Sequence, residues 1–157
     1  MTARAAGSLV VDANVVIAIS AKEVGRASKA QEEINAFASV GYLLYAPGVF
    51  VAETQFALCR KFADGQLSAA DYSRPLANFE MLAPAILPPP AGDVSLISRA
   101  QAISSGYGCS RSADALYIAL AESLAATLPT VLLTFDADLP KQAASHAPTL
   151  TVKLLYS

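Results

Sequence analysis

Apolar and polar residues follow one another along the chain in blocks that predict strands separated by helices. Short apolar runs predict strands at residues 9–11, 42–45, 130–134 and 150–155, and the proline-rich stretch 83–90 predicts a short edge strand or a connector. The blocks between them predict helices at residues 15–19, 25–40, 47–65, 93–105 and 139–145. Two further helices are predicted, one beginning at Ser68 and one capped by Ser110 or Ser112 that runs to about residue 126. Strands that alternate with helices predict an α/β fold, a mostly parallel central sheet covered by helices on both faces.

Prolines and glycines sharpen these boundaries. Pro47 is well placed to open a helix and Gly65 to close it, because proline suits the first helical turn and glycine the position just past the end. Pro75 falls inside the helix that begins at Ser68, so we expect this helix to be kinked or split there.

Length and composition indicate one domain. The chain has 157 residues, 54% of them hydrophobic and 15% charged, which suits strands buried on both faces or a sizeable partner interface. We expect a single domain over residues 1–157, with residues 1–8 as a poorly ordered extension. Cys59 and Cys109 lack CxxC spacing, which favours free thiols in a reducing compartment.

The charge pattern bears on location and partners. Asp12 and Asn14 interrupt the apolar run 9–19, and no run of about 18 uninterrupted apolar residues is present, so we expect a cytoplasmic protein without a membrane partner. The formal net charge is −2, so no global basic field attracts nucleic acid. Any nucleic-acid substrate must therefore be held locally.

Four acidic residues stand where a predicted strand ends or within the first turns of a predicted helix. They are Asp12, Glu53, Asp114 and Asp136. In an open parallel sheet the ligand crevice lies beyond the carboxyl ends of the strands, so we expect these side chains to converge. Two charges about 5 Å apart repel by roughly 3 kcal/mol at an effective dielectric of about 20. The sequence therefore predicts a pocket in which a cation neutralises the carboxylates or some of them take up protons.

Each acid also has an ordinary structural explanation. Asp12 can form an Asx turn or a helix cap, and Asp114 can complement the dipole of a helix N-terminus. Their neighbours favour a site, because Asn14 adds an oxygen ligand or a hydrogen-bond donor beside Asp12. Glu53 has apolar residues at i±3 and i±4, so its carboxylate emerges from an apolar stripe rather than a solvated face.

The region after the strand at 130–134 offers two candidate carboxylates. Asp136 stands nearer the strand end and hence the predicted pocket, whereas Asp138 is better placed to cap the final helix. Thr134 would stand at the strand tip, where its hydroxyl can orient a carboxylate or a water molecule.

Four segments, in order, carry a resemblance to a known family. They are Val10-Val11-Asp12-Ala13-Asn14-Val15-Val16, Pro47-Gly48-Val49-Phe50-Val51-Ala52-Glu53, Ser112-Ala113-Asp114-Ala115-Leu116-Tyr117-Ile118-Ala119-Leu120-Ala121-Glu122 and Leu133-Thr134-Phe135-Asp136. With these segments the chain resembles PIN-domain nucleases, in particular the VapC-type ribonuclease toxins of bacterial toxin–antitoxin pairs. The Asp-Ala-Leu-Tyr run is the most specific of the four.

The resemblance implies a PIN-like three-layer α/β/α fold and hydrolysis of RNA phosphodiesters that depends on Mg²⁺ or Mn²⁺. It implies catalytic metal ligands at Asp12, Glu53, Asp114 and Asp136, with support from Asn14 and Thr134 and with Asp138 as the alternative fourth ligand. Hard divalent cations prefer oxygen ligands, and a water acidified by the metal is the expected nucleophile. The resemblance also implies a small cognate antitoxin, whose C-terminal segment occupies the groove, and a homodimer.

Low basicity leaves RNA binding to a few residues. Four basic side chains and one aromatic side chain are candidates for contacts with RNA: Arg111, Lys141, Arg60, Lys61 and Tyr107. Plain surface roles are the alternative for all five.

Two other functions remain open at this point. The segment Asp12-Ala13-Asn14 also resembles the opening motif of haloacid-dehalogenase-type phosphatases, but Asn14 replaces the second aspartate and Thr134 lies too near the end of the chain. The other alternative is a catalytically silent PIN-like binding module, although the presence of all four acids speaks against it.

Overall fold

In a computed structural model, which describes residues 3–109 and 113–156, helices cover both faces of a five-stranded sheet. The strands are β1 (Gly7–Val11), β2 (Tyr42–Tyr45), β3 (Ile86–Leu87), β4 (Thr130–Thr134) and β5 (Thr151–Leu154). The α-helices of this described part are α1 (Ala13–Ser20), α2 (Ala27–Ser39), α3 (Val49–Ala63), α4 (Ala69–Leu82), α5 (Ile97–Ser105), α6 (Asp114–Ala125) and α7 (Asp138–His146). Two short 3₁₀ turns, Ala83–Ala85 and Asp93–Leu96, precede β3 and α5. The predicted α/β fold is confirmed.

The sheet has the order β3-β2-β1-β4-β5, and its strand pairs are parallel. Strand β1 is central, with Leu9 opposite Leu44 on one side and Val131 on the other. All five residues of β1 are buried, which explains why its last three, Leu9, Val10 and Val11, are all apolar. The chain leaves β1 towards β2 and later returns to its other side with β4. This reversal of strand order places a crevice beyond the carboxyl end of β1.

Most predicted boundaries agree with the structure. Strands β2 and β4 have the bounds predicted for them, and β3 is an edge strand. The Ser68 hydroxyl caps α4 by accepting a hydrogen bond of 3.1 Å from the Asp71 N–H. Gly65, just past α3, has a φ of 74°, a left-handed conformation that glycine adopts without strain.

Three details differ from the predictions. Gly7 and Ser8, expected in the extension, are the first two residues of β1, where Ser8 N–H donates to the Pro129 carbonyl. The helix α4 continues through Pro75, which is buried, so it is not split there, and the predicted kink stays a prediction. The predicted helix 93–105 is a 3₁₀ turn followed by α5. The predicted caps Ser110 and Ser112 lie outside the described residues.

The core lies between the central strands and the helices beside them. Leu9, Val10, Leu132 and Leu133 have no exposed surface, and Ile118 of α6 is equally buried. Helix α6 is apolar on almost all sides, as expected of a helix enclosed by other elements. Both cysteines have free thiols, as predicted. In the part of the chain that the structure describes, no helix is long and apolar enough to cross a membrane.

Candidate active site

Asp12 stands at the carboxyl end of the central strand β1. Its N–H donates to the Leu133 carbonyl at 3.0 Å, which continues the pairing of β1 with β4, and its own carbonyl accepts from the Val15 N–H at 3.0 Å as α1 begins. Only 6% of Asp12 is exposed. The backbone therefore fixes a buried carboxylate at the mouth of the crevice.

Two polar side chains hold the Asp12 carboxylate. The Thr134 hydroxyl donates to Asp12 Oδ2 at 2.8 Å, and Asn14 Nδ2 donates to the same oxygen at 3.2 Å. Asn14 is itself fixed, because its Oδ1 accepts from the Phe135 N–H at 3.1 Å. The Thr134 oxygen accepts from the Asp136 N–H at 2.9 Å. Asn14 and Thr134, expected to support the site, thus contact Asp12 directly.

The surroundings of Asp12 disfavour its charge. Burial raises the pKa of the Asp12 carboxyl from 3.8 to about 7, against the opposing effect of the hydrogen bond from Thr134. The negative charges of Asp114 and Glu53 raise this pKa further. A buried acid facing two like charges has the electrostatics of a site that favours a cation.

Glu53, on the second turn of α3, is tied to helix α6. The Tyr117 hydroxyl donates to Glu53 Oε1 at 2.7 Å, and Tyr117 is almost fully buried. Burial raises the pKa of the Glu53 carboxyl, the hydrogen bond from Tyr117 lowers it, and the charge of Asp114 raises it. Burial raises the pKa of the Tyr117 phenol, and the neighbouring charge of Glu53 raises it further. The sequence indicated Tyr117 only as part of a motif, although it lies three residues after Asp114 on one helical face.

Asp114 is the first residue of α6 and interacts electrostatically with both other acids. Gln142 Nε2 of α7 donates to Asp114 Oδ2 at 3.0 Å, a contact that the sequence did not suggest. Arg111 and Ser112, just before it, lie outside the described residues. The structure therefore places three of the four predicted acids within electrostatic range of one another, and we call Asp12, Glu53 and Asp114 the acidic site.

The two aspartates after β4 have the opposite capping roles from those expected. Asp136 Oδ1 accepts a hydrogen bond of 2.9 Å from the Asp138 N–H. Asp136 rather than Asp138 therefore caps a free N–H at the start of α7. The Asp138 side chain is 75% exposed and pairs with Lys141 at 3.3 Å. Asp136 has the capping role expected of Asp138 because the turn brings the Asp136 carboxylate to the first free N–H of the helix. Their ranking as metal ligands stays a prediction.

The ligand atoms that the acidic site offers are carboxylate oxygens, which hard divalent cations such as Mg²⁺ prefer. Among residues 3–109 and 113–156, however, no three His, Cys, Asp or Glu side chains lie close enough together to hold a metal ion.

Four of the five residues proposed to contact RNA have other partners. Arg60 pairs with Asp64 at 3.1 Å and Lys61 with Glu23 at 3.1 Å. Lys141 pairs with an aspartate of its own helix. The Tyr107 hydroxyl donates to Ser145 Oγ at 3.3 Å, and its ring packs edge-on against His146 at 5.3 Å between centroids. Arg111 lies outside the part of the chain that the structure describes.

Comparison with known proteins agrees with this architecture. Residues 9–145 match the PIN domain family. The chain belongs to the PIN domain family, whose members are nucleases.

One solved structure that it resembles is VapBC2 from Rickettsia felis bound to a DNA fragment from its promoter, with a TM-score of 0.63 and 11% identity. The match covers 94% of this chain and 98% of that one, and at this identity it establishes a shared fold. No curated protein matches significantly. The resemblance to PIN-domain nucleases stated from the sequence is thereby confirmed.

Proposed function

We propose that the protein is an endoribonuclease that depends on Mg²⁺ or Mn²⁺. The observation that carries this proposal is the buried Asp12 carboxylate, held by Asn14 and Thr134 and facing two further acids at the crevice of a PIN fold. Keeping several carboxylates near one another lowers the stability of the fold. Their presence here therefore favours a role in which a cation neutralises them.

The proposed ligands are the acidic site and Asp136, with Asp138 as the alternative. When bound, the metal supplies a Lewis acid that acidifies a water and offsets charge on the phosphate. Thr134 and Asn14 hold the Asp12 carboxylate in one orientation, and Tyr117 does the same for Glu53. Gln142 restrains the Asp114 carboxylate. No side-chain nucleophile is required.

We propose further that this nuclease is the cytoplasmic toxin of a type II toxin–antitoxin pair and forms a homodimer. The family match and the shared fold with VapBC2 support a cognate antitoxin as its partner. Exposed apolar side chains, among them Val51 and Phe56 of α3 and Met81 of α4, leave surface that a partner can cover.

The reaction is tested with a pool of single-stranded RNA, incubated with Mg²⁺ or with EDTA. We expect cleavage with the metal and none without it, and cleavage that persists in EDTA would contradict the proposal. Asp136→Asn compared with Asp138→Asn identifies the fourth ligand, because only substitution of a true ligand raises the Mg²⁺ concentration needed for half-maximal rate. Phosphate release from a small phosphomonoester, with RNA left intact, would instead indicate a phosphatase.

A catalytically silent binding module is the second candidate. It is favoured by one observation, that within the described residues no three His, Cys, Asp or Glu side chains are grouped as in a metal site. Calorimetric titration with Mn²⁺ separates the two candidates. A nuclease binds the ion and loses that binding in Asp12→Asn, whereas a silent module shows no site-specific binding in either form.

A further inference from the structure

Arg26 lies beside the network that holds Asp12. It directly precedes α2, and its guanidinium carbon stands 5.0 Å from the centroid of the Phe135 ring. Phe135 follows Thr134, and its N–H binds the Asn14 side chain at 3.1 Å. Because Phe135 is only 9% exposed, it forms a fixed platform for the guanidinium. A cation is thus positioned beside the residues that hold Asp12.

The charge of Arg26 is only partly compensated. Its acidic neighbour is Glu23, at 3.7 Å, and Glu23 also pairs with Lys61 at 3.1 Å. Two cations therefore share one carboxylate, which leaves a net positive charge in this cluster. The Arg26 side chain is 39% exposed, so a ligand can reach it.

The hydrogen-bond donors of Arg26 are also available. Over residues 3–109 and 113–156 its guanidinium donates no hydrogen bond to another group. Arg99 shows the contrasting case, because it donates to both oxygens of Glu122, at 2.7 and 3.0 Å, and to the His146 carbonyl at 2.7 Å. Arg99 is occupied by structural contacts, whereas Arg26 is oriented by an aromatic ring and makes no such set of contacts with the described residues.

We propose that Arg26, stacked on Phe135, binds a backbone phosphate of the RNA substrate beside the acidic site. This inference rests on the proposed ribonuclease function and adds a residue that the sequence did not suggest. A guanidinium presents planar, paired donors that match phosphate oxygens, and its stacking on a ring reduces the freedom lost on binding. Local binding of this kind is needed because the chain as a whole is slightly acidic, with a net charge of −2.

The test compares Arg26→Gln and Arg26→Lys with the matched control Arg4→Gln. Arg4 is exposed and precedes β1, at the amino end of that strand. Its substitution therefore removes the same charge at the end of β1 opposite to Asp12. Binding of a labelled single-stranded oligoribonucleotide is measured in EDTA at several salt concentrations, and cleavage kinetics are measured with Mg²⁺. Thermal melting of each variant checks that it is folded.

For Arg26→Gln we expect RNA binding to weaken about 10-fold and KM to rise by a similar factor with kcat little changed. The slope of log affinity against log salt should fall by about 0.7, the value for one phosphate contact on a single strand. Arg26→Lys should recover only part of the affinity, because lysine lacks the planar fork.

Two results would overturn the assignment. One is equal binding by Arg26→Gln and Arg4→Gln, and the other is a loss confined to kcat with an unchanged salt slope. Wild-type protein that binds RNA in this Arg26-dependent way but cleaves none with Mg²⁺ would refute the proposed nuclease and leave the phosphate contact standing. Wild-type protein that binds no RNA would refute both.

Discussion

Substituting Asp12 by asparagine should make the metal-free protein more stable at alkaline pH. In the folded protein burial raises the pKa of Asp12 from 3.8 to about 7, so ionising this carboxyl above pH 7 costs on the order of 4 kcal/mol at 1.36 kcal/mol per pKa unit. Asparagine carries no charge and avoids this cost. The pKa of about 7 already includes the stabilising effect of the hydrogen bond from Thr134 on the charged form. The gain at pH 8 is therefore on the order of 4 kcal/mol.

The sign of the pH dependence follows from the direction of the shift. An acid whose pKa is raised by folding contributes stability that is fully present below pH 3.8 and is lost as the pH rises through about 7. The advantage of Asp12→Asn should therefore shrink by about 2 to 3 kcal/mol between pH 8 and pH 5. Urea unfolding in EDTA at both pH values gives the two free energies of unfolding.

Asp64→Asn is the matched control for this experiment. Asp64 pairs with Arg60 at the end of α3, and its side chain is 48% exposed, so its loss should change the free energy of unfolding by less than about 1 kcal/mol at either pH. If Asp12→Asn is less stable than the wild type at pH 8, or if its advantage does not change with pH, the electrostatic description of Asp12 is wrong.

Three further predictions concern the same site. Mn²⁺ should raise the melting temperature of the wild type at pH 8 and leave Asp12→Asn unchanged; equal shifts in scanning fluorimetry would argue against the acidic site as the ion's location. Thr134→Val should lower the free energy of unfolding at pH 8 by about 1 to 3 kcal/mol, because Asp12 loses its 2.8 Å donor and the Asp136 N–H loses its acceptor. Unchanged urea curves would contradict this. Tyr117→Phe should raise the Mg²⁺ concentration for half-maximal cleavage about 5- to 10-fold, because Glu53 loses its 2.7 Å donor, and an unaltered metal dependence would show that Tyr117 only packs.

The fold was predictable because its signals are local. Strands β2 and β4 are short apolar runs bounded by polar or turn residues, and their bounds follow from that pattern. The convergence of Asp12, Glu53 and Asp114 was also predictable, since strand ends and the following helix starts share one edge of a parallel sheet.

Contacts between residues far apart in sequence were not predictable. Tyr117 reaches Glu53 only because the fold brings α6 within hydrogen-bond reach of α3, and Arg26 reaches Phe135 only because the start of α2 meets the residue after β4. The roles of Asp136 and Asp138 depend on the backbone conformation of one turn, which residue types alone do not determine.

Cleavage of a labelled single-stranded RNA by wild type, Asp12→Asn and Asp64→Asn tests the central claim most directly. Each protein is first stripped with EDTA and then supplied with excess Mg²⁺. We predict that the wild type and Asp64→Asn regain cleavage when the ion is added, and that Asp12→Asn stays at least 100-fold slower, a loss of about 3 kcal/mol in transition-state stabilisation. Comparable cleavage by Asp12→Asn, or full activity of the wild type in EDTA, would contradict a metal-dependent ribonuclease centred on Asp12.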